Sequence, residues 1–234
     1  MLNQIKSSKD KIWQDAADCL LSKLKKTNIR KKRCLLLLSG GSSVNIYSRL
    51  AEYIKRSQFN SENLAVGQVD ERIRPDKQEE INFEMIKESG IVSVLTGKNI
   101  PFYRIPQENS LPESADFYSA QLSKLFNQYD FHMAVLGIGS DGHTAGLLPG
   151  YQKMWDKNRF AVGYKNRGQF RHRITITPKA VKLLDYALFV AAGAEKREVL
   201  KKIIQNNEND LNLLPGMVIH NIKTADLLTD IQNY

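Results

Sequence analysis

One stretch of this chain concentrates reactive residue types: Gly137-Ile138-Gly139-Ser140-Asp141-Gly142-His143-Thr144-Ala145. An imidazole titrates near pH ~6.5 when unperturbed, so it can take a proton from water at neutral pH. Asp141, two residues before His143, can fix the ring's orientation and raise its basicity, as a carboxylate does in a catalytic triad. Gly139 and Gly142 leave room around the ring, and their backbone N–H groups are candidate donors to an oxyanion. The pattern is that of a general base on a turn. His132, His172 and His220 lack such neighbours and read as structural or exposed.

Two other segments supply anion-binding chemistry. Ser39-Gly40-Gly41-Ser42-Ser43 follows an apolar run and precedes a helical pattern. Glycines allow close backbone approach, and a helix start offers free N–H groups and a positive dipole end. With the serine hydroxyls this makes a phosphate cradle, or else a plain strand–helix turn. Asp70-Glu71-Arg72 follows the next apolar run. The Arg72 fork suits a phosphate or a carboxylate, the alternative being a surface salt bridge. The Ser39–Ser43 loop is neither a Walker loop nor GxGxxG, which argues against those nucleotide sites there, and the chain has no GxSxG elbow for a serine hydrolase. His143 has no His or Cys partner at ligand spacing, so a metal is not expected.

The elements that must position these residues alternate. Residues 8–28 have helical periodicity, Cys34–Leu38 is a continuous apolar run, and Val44 to Ile54 is helical again. Leu64–Val69, Phe102–Ile105, Phe131–Leu136, Arg173–Thr177 and Tyr186–Ala192 read as strands. Gln78–Lys87, Pro112–Asn127 and Glu195 to Ile204 read as helices. Strands alternating with helices predict a doubly wound α/β fold, a mostly parallel sheet with helices on both faces. Ligands of such sheets bind at the carboxyl ends of the strands, where the three loops above should converge. Residues 145–172 are irregular and read as loops near the site, and 215–234 resist assignment.

The chain has 234 residues, which fits one domain over 1–234. Its net charge of +9 can steer anionic ligands. No helix-turn-helix pair, RNP motif or zinc finger is evident, so nucleic acid is not an expected partner. Much of the positive charge lies in the run from Lys23 to Arg33, which reads as a solvated face. No apolar run reaches the ~20 residues needed to span a bilayer, and the N-terminus lacks an apolar signal core. Cys19 and Cys34 sit in no metal or redox spacing and read as buried free thiols of a reducing, cytoplasmic compartment.

Taken together, these segments resemble the 6-phosphogluconolactonase family. The family's SGGST appears as Ser39 to Ser43, and its DER as Asp70-Glu71-Arg72, with Asn82 following. Its most specific stretch, GxGxDGHTAxLFPG, appears as Gly137 to Gly150. An RIT segment appears at Arg173-Ile174-Thr175 and a Gly/Lys element at Gly193-Ala194-Glu195-Lys196. The resemblance implies a glucosamine-6-phosphate isomerase-like fold and hydrolysis of 6-phospho-D-glucono-1,5-lactone to 6-phosphogluconate, in the oxidative pentose phosphate pathway. It implies His143 as catalytic base and no cofactor. Asp141 would orient His143, and the phosphate would lie on Gly40, Gly41, Ser42 and Ser43 with Arg72, Arg173 and Lys196. Asp70, Glu71, Gly139, Gly142 and Thr144 would complete the loops. The expected partner is the phosphosugar lactone, and the expected state a monomer or weak homodimer.

The chain departs from the family pattern at Ser43, Gly146 and Leu148, and Pro215-Gly216-Met217 replaces a usual Pro-Ala. Two rival readings are a glucosamine-6-phosphate deaminase/isomerase, which shares GxDGH, and a non-catalytic sugar-phosphate-binding protein. Thr144-Ala145-Gly146-Leu147 carries no acidic group to help open a sugar ring, which argues against the first. Retention of both Asp141 and His143 argues against the second.

Overall fold

A computed structural model describes residues 1–74, 77–206 and 208–232. The strands are β1 (Leu2–Lys6), β2 (Cys34–Leu38), β3 (Leu64–Gln68), β4 (Asp70–Arg72), β5 (Phe102–Tyr103), β6 (Phe131–Gly137), β7 (Ala161–Lys165), β8 (His172–Ile176), β9 (Tyr186–Ala191) and β10 (Ala225–Thr229). The helices are α1 (Ile12–Ile29), α2 (Tyr47–Arg56), α3 (Asn82–Glu88), α4 (Ile91–Gly97), α5 (Leu111–Gln128), α6 (Gln152–Trp155), α7 (Pro178–Lys182) and α8 (Arg197–Gln205).

Seven strands form one sheet in the order β1-β10-β9-β6-β2-β3-β5, and every pairing in it is parallel. The expected doubly wound architecture is present. Its cause is visible in β2, all five residues of which are buried. Successive side chains of a strand point to opposite faces. Leu35 and Leu37 therefore join a core with α5 and α8, while Cys34, Leu36 and Leu38 join a second core with α1, α2 and α4. A strand covered on both sides needs the unbroken apolar run seen in the sequence.

The order in which strands are added reverses between β2 and β6, which pair directly and in parallel. From β2 the chain proceeds outward to β3 and β5; from β6 it proceeds the other way, to β9 and β10. The crevice at such a switch point is where ligands of open α/β sheets bind. The Ser39–Ser43 and Gly137–His143 segments leave those two strands at that crevice.

Several sequence expectations need correction. Arg173–Thr177 is not a strand of the main sheet: β8 pairs antiparallel with β4 and β7 in a separate three-stranded sheet. Residues 145–172 are not only loops, since they hold α6 and β7. Asp70-Glu71-Arg72 is a short strand, not a loop. The unassigned C-terminal region contains a 3-10 segment, Pro215–Asn221, and β10, which lies beside β9. These are short elements with mixed polarity, so their periodicity is too brief to read. Cys34 is buried and Cys19 half-buried, and both are free thiols.

Candidate functional site

A cleft of about 320 Å³ opens at the switch point. It brings together Gly40, Gly41, Ser42, Ser43, Asp70, Arg72, Gly139, His143, Arg173 and Lys196, all expected from the sequence. It also takes in Ser39, Asn82 and Phe170. Asp141, Glu71, Gly142 and Thr144 do not line it; they stand behind the residues that do.

The first wall is the turn after β2. Ser39 Oγ donates to Val135 O at 2.7 Å, and Ser39 O accepts from Tyr47 Oη at 2.7 Å. These bonds tie the turn to β6 and to the start of α2. Gly41 has φ +59°, a left-handed conformation that favours glycine. A 3-10 segment, Gly41–Ile46, precedes α2 where the periodicity predicted a helix from Val44. The Gly41 N–H points at Met85 Sδ, at 3.4 Å. That donor is engaged inside the protein, which leaves the backbone after it and the serine hydroxyls for a ligand.

The second wall is the turn after β6. Gly139 N donates to His143 O at 2.9 Å and Gly142 N to Gly139 O at 3.0 Å. Both N–H groups are therefore used to close the turn, contrary to the expectation that they face an oxyanion. His143 Nδ1 lies 2.5 Å from Asp141 Oδ1, and His143 N donates to the same oxygen at 3.1 Å. Burial acts to raise the Asp141 carboxyl, but its hydrogen bonds and charge interaction with His143 outweigh this and hold it below the usual carboxylate range. An ionised carboxylate can only accept, so Nδ1 carries the proton and Nε2 is left as the basic nitrogen. The ring rests on Gly139, where an added Cβ would meet His143 Nδ1 at 2.2 Å.

The loop is held from outside as well. Gly146 N donates to Thr175 Oγ1 at 3.0 Å, and Gly146 O accepts from Tyr164 Oη at 2.5 Å. A Cβ at Gly146 would meet Thr175 Cβ at 2.8 Å, which accounts for glycine at that departure from the family pattern. The C-terminal departure has a similar cause. Gly216 N donates to Gly142 O at 2.8 Å, and a Cβ there would press on Ile203 Cδ1 at 2.7 Å. The 3-10 segment thus packs its backbone directly against the His143 turn.

The third wall is cationic. Arg72 and Arg173 are direct cross-strand partners on β4 and β8. Like charges placed opposite each other repel unless an anion lies between them. Asp70, buried, is one such anion, with Oδ2 3.7 Å from Arg173 Nη1. Burial raises the Asp70 carboxyl, against Arg173, Arg72 and His143, which lower it. Phe170 lies over both guanidiniums, with ring centroid 3.9 Å from Arg72 Cζ and 5.5 Å from Arg173 Cζ. The buried Nε atoms of Arg72 and Arg173 have no hydrogen-bond partner among the described residues. Lys196 completes this wall from the 3-10 segment Ala194–Lys196, and burial lowers its ammonium below the usual lysine range.

Asn82 stands between the walls. Its Nδ2 donates to Asp70 O at 3.1 Å, and a Cβ at Gly40 would lie 2.2 Å from its Oδ1. Glu71 is fully buried behind Arg72, and Thr144 is buried under the His143 turn. Sequence reading quoted Asn82 without a role, and Phe170 carried no signal at all: a lone aromatic in a loop is common.

The other histidines lie elsewhere. His132 Nε2 is 2.9 Å from Tyr129 O and His220 Nε2 is 2.8 Å from Ile203 O, both structural contacts. Among the described residues, no three His, Cys, Asp or Glu side chains are grouped to hold a metal ion. No helix of the described chain is long and apolar enough to cross a membrane.

Comparison with known proteins bears on the family and the fold. Residues 7–228 match the family model described as glucosamine-6-phosphate isomerases/6-phosphogluconolactonase. A 6-phosphogluconolactonase of Homo sapiens is 26% identical over 214 residues, covering 89% of this chain and 79% of the relative. The crystal structure of 6-phosphogluconolactonase from Thermotoga maritima superposes with a TM-score of 0.78, at 21% identity and 98% coverage of both chains. A monomeric glucosamine-6-phosphate deaminase superposes with a TM-score of 0.70, at 14% identity, covering 97% of this chain and 96% of that one. At such identities the two structures speak for the fold alone.

Proposed function

Because this chain belongs to the glucosamine-6-phosphate isomerase/6-phosphogluconolactonase family, we propose that it hydrolyses 6-phospho-D-glucono-1,5-lactone to 6-phosphogluconate, with His143 as general base and no metal. The observation that carries this reading is the joint placement of His143, held through Nδ1 by Asp141, and three cations in one cleft. One end of the cleft offers a base, the other a seat for a phosphate.

Arg72 and Arg173 line that seat, and each carries a buried Nε without a hydrogen-bond partner among the described residues. A phosphate accepting from both would relieve their mutual repulsion, with Lys196 and the Ser42-Ser43 turn around it. A δ-lactone is an activated ester, so a positioned base suffices. His143 Nε2 takes a proton from water as the oxygen attacks C1. The tetrahedral intermediate collapses by breaking the bond between C1 and the ring oxygen, and His143 returns its proton to that oxygen. The new carboxylic acid ionises, releasing one proton per turnover. A positioned general base contributes ~10²–10⁴-fold. Two free thiols suit a reducing compartment such as the cytoplasm.

The test is proton release with the lactone generated in situ. His143→Ala is expected to lose roughly 10²–10⁴-fold in kcat while still binding 6-phosphogluconate. Near-normal turnover in that variant would overturn the role given to His143. Ammonia release from glucosamine 6-phosphate would instead support the deaminase reading.

A further inference from the structure

We propose that Glu71 is the positioning residue of the cleft: its buried carboxylate fastens the Arg72 wall to the Asn82 wall, and protonating it loosens the grip on a bound phosphate. The proposal rests on the reading of the cleft as a phosphate site, not on lactone turnover.

Glu71 is fully buried and accepts four hydrogen bonds. Oε1 accepts from Arg72 N at 2.8 Å and from Asn82 N at 2.6 Å. Oε2 accepts from Phe83 N at 2.9 Å and from Gln68 Nε2 at 2.7 Å. Asn82 N and Phe83 N are the first N–H groups of α3, which have no partner inside the helix. Glu71 therefore caps that helix from β4, doing from a distance what a capping side chain does locally. Because α3 begins with Asn82, the cap also sets where Asn82 meets Gly40 in the turn after β2. The neighbouring bond sets Arg72 on the opposite wall.

The carboxylate is itself held. Gln68 Oε1 accepts from Ile105 N at 2.7 Å, and the Gln68 backbone is clasped by Tyr118, whose hydroxyl donates to Gln68 O at 2.6 Å and accepts from Gln68 N at 2.8 Å. The charged and titratable groups around it are Asp70 and Arg72 on its own strand, Arg173 on β8, Tyr118 on α5, and Glu80, whose carbonyl receives Arg72 Nη1 at 3.0 Å. Four donors on two oxygens suit only the ionised form: a protonated oxygen becomes a donor and faces N–H groups it cannot serve. Burial pushes the Glu71 carboxyl up to about 7, against the pull of those hydrogen bonds. The change of state therefore falls in a range the cell visits.

The coupling is reciprocal. If ionised Glu71 strengthens phosphate binding about tenfold, saturating phosphate must lower the Glu71 midpoint by about one pH unit. An anion acting only through its charge would raise it, so the sign decides. Carbon-13 NMR of the wild-type protein labelled at the glutamate δ-carbon follows the glutamate titrating near neutrality, with and without inorganic phosphate. A downward shift is expected. No shift, an upward shift, or no glutamate titrating above pH 6 overturns the proposal.

A second readout uses Glu71→Gln. The ratio of phosphate Kd values, variant over wild type, cancels the ligand's own titration. It should be about tenfold at pH 8.5 and near one at pH 5.5. In turnover the variant should raise KM with kcat within about threefold. A ratio flat with pH, or a loss confined to kcat, overturns the proposal. If the lactone is not hydrolysed at all but the phosphate data behave as described, the activity reading fails and this one stands.

Discussion

Arg72 and Arg173 face each other as direct cross-strand partners on β4 and β8, although 100 residues lie between them in the chain. Both side chains line one cleft, and the ring of Phe170 lies over both guanidiniums. A hydrogen bond from a charged donor is worth ~1.5–3 kcal/mol. Arg72→Ala and Arg173→Ala should each raise KM for the phosphorylated substrate by roughly 10- to 100-fold. The double variant should fall short of the product of the two if, as proposed, the residues share one anion. Steady-state kinetics of the three variants reads this directly, and fully multiplicative effects would mean that they act on separate groups.

Phe170 touches both guanidiniums without a hydrogen bond to offer. Cation–π contacts are worth ~0.5–2 kcal/mol. Phe170→Ala should therefore weaken substrate binding by roughly 2- to 30-fold, and Phe170→Leu, which keeps bulk but not the π-face, should do nearly as much. An unchanged KM in both variants would show that the ring is only a lid over solvent.

The bond between Asp141 and His143 predicts a tautomer effect. Asp141→Asn removes the negative charge and adds an NH2 donor that can face Nδ1, so the Nδ1-protonated tautomer is no longer enforced. We expect kcat to fall by roughly 10²–10⁴-fold with KM little changed, as in other carboxylate-oriented imidazoles. A fall of less than threefold would leave Asp141 a structural turn residue.

Gly40 has an ordinary φ of −81°, so its lack of a side chain answers to space alone. Gly40→Ala must displace Asn82 and should cost ~1–3 kcal/mol of stability, as overpacking does. Asn82→Gly removes all three atoms that the new Cβ would meet and should restore most of that loss when combined with it. Urea midpoints of the single and double variants give the coupling; strict additivity would show that the two walls relax independently.

Glu71 also predicts how stability depends on pH. Its folded-state value of about 7 lies above the ~4.3 of an unfolded glutamate, so the folded state holds the proton more tightly. Its contribution is complete below the unfolded value and is lost as pH rises through about 7. The unfolding free energy of wild type relative to Glu71→Gln should therefore fall by roughly 3 kcal/mol between pH 4 and pH 8. Chemical denaturation at several pH values checks the slope; a difference that is flat or rises with pH would show that Glu71 does not titrate in that window.

The residues of this chain carried the architecture and the proposed base in plain view. β2 and β9 are unbroken apolar runs because both of their faces are covered, β6 is one from Met133 to Leu136, and runs of that kind are legible without coordinates. The Asp141–His143 pair was legible for a similar reason: two residues apart on one turn, their meeting is a local matter. The cationic wall was not. Arg72 and Arg173 meet only because β8 leaves the main sheet and pairs antiparallel with a three-residue strand, a choice made by long-range packing. Phe170 over the two arginines, Glu71 reaching forward to the start of α3, and Gly216 holding the Gly142 carbonyl belong to the same class. Periodicity reports which face of an element is buried; it carries no information on which distant backbone group a side chain will find, and that is what tertiary structure decided.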